Sequence, residues 1–93
     1  MPKYKVIAHR RVLKFLNGIK DEKLKHAIIN TIEELENYPI SLRGMDVETI
    51  RGLVKTFRIR LGQYRIMFSV DKPEKTIYVT HLDSRKKIYR KIK

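Results

Sequence analysis

The sequence predicts a two-layer α+β domain: an N-terminal strand, a helical hairpin, then an antiparallel β-meander, with the helices on one face of the sheet. Three observations predict it. A short run of β-formers opens the chain, apolar residues then recur at spacings of three and four, and beyond Lys55 the spacing falls to two. At 93 residues the chain has room for one modest core, so residues 1–93 are expected to form a single domain.

From Tyr4 to Ala8, the residues Tyr4, Val6 and Ala8 alternate with Lys5 and Ile7. Neither side is cleanly polar, which suits a strand buried on both faces or lying at a sheet edge. From Arg10 to Lys20, the residues Val12, Phe15, Leu16 and Ile19 form one helical stripe. Gly18 breaks it, and Asp21 is placed to cap a second helix. That helix is expected from Glu22 to Tyr38, with Leu24, Ala27, Ile28, Ile32, Leu35 and Tyr38 on its apolar face. Glu33, Glu34 and Glu36 fall on its wet side, and Pro39 stops it.

Ile40 to Gly52 shows no periodicity, so a loop with a short helical turn near Met45 to Ile50 is expected. In Thr56 to Leu61, Phe57, Ile59 and Leu61 share one face, and Arg58 and Arg60 the other. Gly62-Gln63 is a two-residue hairpin connection. Tyr64 to Val70 continues the alternation, with Arg65, Met67 and Ser69 opposite the apolar face. Asp71 to Lys75 forms the next turn and Thr76 to Leu82 the last strand, giving the order β-α-α-β-β-β. The core should be drawn from Val6, Leu16, Ile19, Ile28, Ile32, Leu35, Phe57, Ile59, Ile66, Phe68, Ile77 and Val79.

Composition narrows the function. The chain has no cysteine, which excludes disulfides, thiolate-ligated metals and thiol nucleophiles. No window approaches the ~18 apolar residues of a membrane span, and the N-terminus lacks the pattern of a secretory signal. A cytoplasmic location is expected. Net charge is +12 and unevenly placed: residues 1–50 hold nine basic and seven acidic groups, residues 51–93 thirteen and three. Charge concentrated in this way points to a polyanionic partner.

Arg58, Arg60 and Arg65 fall on one face of adjacent strands, and no carboxylate occurs between Leu53 and Val70. Because helices cover only the other face, this one is expected to be an open, concave basic surface. Forked guanidinium groups suit phosphate. The tail from Asp83 adds Arg85, Lys86, Lys87, Tyr89 and Arg90. His9, His26 and His81 are too scattered to propose as a catalytic pair and read as structural or solvent-facing. No His/Asp/Glu cluster has metal-ligand spacing, so neither metal nor other cofactor is expected. Gly44, Gly52 and Gly62 read as turns rather than a phosphate loop.

The run Phe57-Arg58-Ile59-Arg60-Leu61-Gly62-Gln63-Tyr64-Arg65, together with Ser84-Arg85-Lys86-Lys87-Ile88-Tyr89-Arg90, resembles the RelE/ParE superfamily of toxin–antitoxin toxins. Length and element order agree over nearly the whole chain. For RelE-type members the resemblance implies a ribosome-dependent endoribonuclease that cuts messenger RNA in the A site. It also implies an acidic, partly disordered RelB-like antitoxin as partner. By position it implies that Arg65 and Arg85 stabilise the phosphoryl charge, that Arg58 assists electrostatically and that Tyr89 transfers a proton. Arg60, Lys86, Lys87 and Arg90 would then hold RNA. Two departures stand out: Ser84 replaces a common histidine, and Arg58 and Arg60 replace the lysines of the well-studied bacterial type. ParE-type members inhibit DNA gyrase instead, and a non-catalytic RNA- or ribosome-binding module is the remaining alternative.

Overall fold

The computed structural model describes residues 3–84. The elements are β1 (Lys5–Ala8), α1 (Arg10–Asn17), α2 (Glu22–Glu34), two 3₁₀ turns (Leu35–Asn37 and Ile40–Gly44), β2 (Asp46–Thr49), β3 (Thr56–Leu61), β4 (Tyr64–Asp71) and β5 (Thr76–Ser84). The strands form one sheet in the order β1-β5-β4-β3-β2. All pairings are antiparallel except β1 with β5. The α+β expectation holds, and β1 is an edge strand.

One expected element is wrong. The stretch Met45 to Ile50 is not a helical turn; Asp46–Thr49 is a fifth strand, paired in register with Arg60 back to Phe57. Met45 and Val47 reach the core from it, while Asp46 and Glu48 fall on the opposite side. Both helices are also shorter than expected. α1 closes at Asn17, where the Gly18 N–H returns to the Leu16 and Phe15 carbonyls. α2 tightens into a 3₁₀ turn at Leu35, before Pro39 can interrupt the helical ladder.

The starts of the helices reflect local chemistry. His9 caps α1, its Nδ1 accepting from the Arg11 N–H at 3.0 Å. Asp21 caps α2, its Oδ1 accepting from the Leu24 N–H at 3.1 Å. The helices lay Val12 and Ile28 against Ile59, Ile66, Phe68, Ile77 and Val79, all fully buried. Phe68 stacks on Phe57 with ring centroids 5.2 Å apart. Of the residues expected in the core, Ile19, Ile28, Leu35, Ile59, Ile66, Phe68, Ile77 and Val79 are buried in it, joined by Tyr4, Val12, Val70 and Leu82, while Val6, Leu16, Ile32 and Phe57 pack against it partly buried. Among the described residues no helix is long and apolar enough to cross a membrane.

Between β3 and β4 the chain reverses through Gly62 and Gln63, with Leu61 paired to Tyr64. Gly62 has φ +62°, the positive value required at the first central position of a type II′ turn. A β-bulge between Met67 and Phe68 inserts Thr80 into β5 beyond Val79.

Truncating Phe68 to alanine should cost about 3–5 kcal/mol and lower Tm by more than roughly 10 °C. Val54→Ser, on the exposed β2–β3 loop, should stay within about 0.5 kcal/mol of the parent. Denaturant melts that failed to separate these two variants would contradict this core.

Candidate nucleic-acid interface

Strand register fixes the face turned away from the helices. Side chains alternate, so pairing partners stand side by side on the same face. One row reads Asp46, Arg60, Arg65, Asp83 across β2, β3, β4 and β5. The next reads Glu48, Arg58, Met67, His81. The three arginines expected to share a face therefore do so, with Arg60 and Arg65 directly opposed across the hairpin.

The expectation of a purely basic surface is corrected. Carboxylates stand at both ends of the first row and at one end of the second. Arg58 donates through Nε and Nη2 to Glu48 Oε1 at 3.1 and 2.6 Å. Arg60 donates through Nε to Asp46 Oδ2 at 2.9 Å. These acids come from β2, the strand whose sequence looked like a loop. The Arg60–Asp46 pair is about half exposed and contributes at most about 1 kcal/mol. The Arg58 side chain is only 13% exposed, so its pair is better shielded from solvent.

Arg65 differs from both. It is 4% exposed, and among the described residues it forms no ion pair. Its Nη1 donates to the Gly62 carbonyl at 3.1 Å and the Tyr64 carbonyl at 2.9 Å, folding the head group back over the hairpin turn. Its Nε is buried with no hydrogen-bond partner. Asp83, its neighbour on β5, turns Oδ1 to accept from the Ser84 N–H at 2.9 Å. A buried cation with an unused donor is costly, by about 1–3 kcal/mol for the unmet donor alone. An anion in front of Nε would satisfy it.

Arg85, Tyr89, Lys86, Lys87 and Arg90 lie outside the described residues. The sequence reading took His9 and His81 as structural or solvent-facing and did not foresee their contact with Arg11. Arg11, on α1, places Nη1 3.1 Å from His81 Nε2 and Nε 3.1 Å from His9 Nδ1. No sequence spacing links Arg11 to His81; the contact arises because β1 ends opposite Val79, leaving α1 to pass beside the end of β5.

The fold and this face define a small basic α+β domain with three arginines gathered on one face of its sheet. Comparison with known proteins gives the family. A family model described as the ParE toxin of a type II toxin–antitoxin system matches residues 6–89. The chain belongs to the RelE/ParE superfamily of type II toxins. The RelE1 protein of Methanocaldococcus jannaschii is 28% identical over 88 residues, covering 95% of this chain and 97% of that one. Among solved structures, the archaeal RelE–RelB complex from Pyrococcus horikoshii OT3 matches with TM-score 0.77 and 28% identity, over 89% of this chain and 96% of that one. The RelB–RelE antitoxin–toxin complex from Methanococcus jannaschii matches with TM-score 0.76 and 26% identity, over 94% and 99%.

If the Arg65 head group is kept for a ligand rather than for the fold, Arg65→Met should cost no stability. The stem packing survives and the buried unpaired charge is gone, so the variant is expected to equal the parent or exceed it by about 1–2 kcal/mol. A loss above about 2 kcal/mol in equilibrium unfolding would make the guanidinium structural.

Proposed function

We propose that this chain is the toxin of a RelBE-type pair and stops translation by cutting messenger RNA in the ribosomal A site. The observation that carries the reading is Arg65: buried, in no ion pair among the described residues, with a buried Nε that has no hydrogen-bond partner, and beside two further arginines on the same face. In the proposed reaction the RNA 2′-hydroxyl attacks the adjacent phosphorus and the 5′-oxygen leaves. This chemistry calls for charge stabilisation on the phosphoryl oxygens more than for a strong base on the protein. Arg65 supplies it from within the sheet, and Arg85 from the tail. Arg58 and Arg60 exchange their carboxylate partners for RNA phosphates, which limits the net gain from each contact. Tyr89 is assigned the proton transfer, and Lys86, Lys87 and Arg90 the backbone of the RNA. The ribosome supplies the near-attack geometry of the message.

The whole chain acts as one domain in the cytoplasm, where its substrate is. Its partner is an acidic, partly disordered RelB-like antitoxin that neutralises the +12 charge and orders as it binds. The two archaeal relatives crystallised as RelE with RelB support that pairing. A second reading, inhibition of DNA gyrase, is favoured by the ParE description of the matching family model.

Full-length protein added to programmed ribosomes should cut the message within the A-site codon, read by primer extension. Arg65→Ala should slow the cut by about 10²–10³ while ribosome binding persists. Intact message with the parent protein would overturn the reading, and toxicity that survives Arg65→Ala would favour the gyrase target.

A further inference from the structure

We propose that Arg11 and His81 form a second phosphate-binding site on this face, one that takes up a proton when RNA binds. The inference rests on the proposed RNA substrate and extends it to residues outside the family motif.

The geometry fixes the starting state. A guanidinium has only donors, so the His81 nitrogen facing Arg11, Nε2 at 3.1 Å, is the one with the lone pair. The His81 proton then sits on Nδ1, 3.1 Å from Thr80 Oγ1. Thr80 Oγ1 in turn donates to the Met67 carbonyl at 3.4 Å. On its other side Arg11 meets His9, whose Nδ1 already accepts from the α1 backbone. Arg11 is exposed and, among the described residues, has imidazoles around it and no carboxylate.

Register sets the position. His81 stands in the row of Arg58 and Met67, and diagonal to Arg65, roughly 7–8 Å away between backbones. Among the described residues, the charged and titratable groups around it include Arg11 and His9 from the β1–α1 junction, Arg58 from β3, Arg65 from β4 and Asp83 on its own strand. Glu48, beyond Arg58, is engaged by that arginine. Among the described residues, cations outnumber acids around His81, which suits an anion lying between it and Arg11.

Protonating His81 removes the lone pair that holds Arg11 and turns Nε2 into a donor. Both groups then point donors at the same space. A phosphate oxygen there accepts from Arg11 and from His81 together, and the bound state holds one more proton, taken from solvent. Binding therefore raises the affinity of His81 for its proton, and RNA affinity rises as pH falls through the range in which an imidazole takes up a proton.

The test uses the full chain and a single-stranded RNA oligonucleotide, 2′-O-methylated so that it cannot be cut, with fluorescence anisotropy across pH and salt. Parent affinity should rise about tenfold on going from ~1 unit above to ~1 unit below the ordinary imidazole value. In His81→Gln and Arg11→Gln that rise should shrink to less than about twofold, and at the lower pH each should lose about 0.7 from the salt slope. His26→Gln, a distant imidazole on α2, should keep the parent's response. Arg11 is exposed, so Arg11→Gln tests the site even if His81→Gln folds poorly. A parent pH response unchanged in Arg11→Gln overturns the site and leaves the RNA reading standing. A parent protein that does not bind the oligonucleotide overturns both.

Discussion

Gly62 closes β3 onto β4 through two residues, and the pairing of Leu61 with Tyr64 results from it. Everything on the face turned away from the helices inherits that register. A slip of one residue on either strand would exchange its arginines for Phe57, Ile59 or Ile66, burying charge and exposing the core. Because the slip is so costly, Arg60 and Arg65 are held opposite one another despite their like charge. The apolar face enforces what electrostatics alone would oppose.

The rest of the face can be understood as a response to that crowding. β2 brings Glu48 and Asp46 to Arg58 and Arg60, balancing two of the three guanidinium groups. Arg65 lies next to the hairpin turn and is held by two backbone carbonyls instead. Carbonyl dipoles position a guanidinium without neutralising it. The arrangement leaves Arg65 a buried charge outside any ion pair among the described residues, with the two outer arginines paired to carboxylates.

Much of the fold was legible because its signals are long. Two periods, 3.6 and 2, separate the helices from β3 and β4, and Phe57, Ile59, Ile66 and Phe68 pack as their alternation requires. β2 was not legible. Four residues give too short an alternation, and Asp46 and Glu48 have poor strand propensity; pairing with β3 decides their conformation. With β2 went its carboxylates, so a face that looked purely basic is a set of partly balanced rows. The inward fold of Arg65 was also hidden, since it depends on where two turn carbonyls point. The Arg11–His81 contact joins residues 70 positions apart and needs the three-dimensional path of α1 to be seen.

The central claim is that Arg58, Arg60 and Arg65 act as one phosphate-binding unit with Arg65 at its centre. Side-chain ¹⁵N NMR of the arginine Nε–H groups during titration with the same uncut oligonucleotide tests it most directly. All three signals should shift with a single binding isotherm, the Arg65 signal furthest, while Arg43 and Arg51 remain nearly still. An Arg65 signal unmoved at saturation, with the shifts spread over Arg43, Arg51 and other exposed arginines, would contradict it.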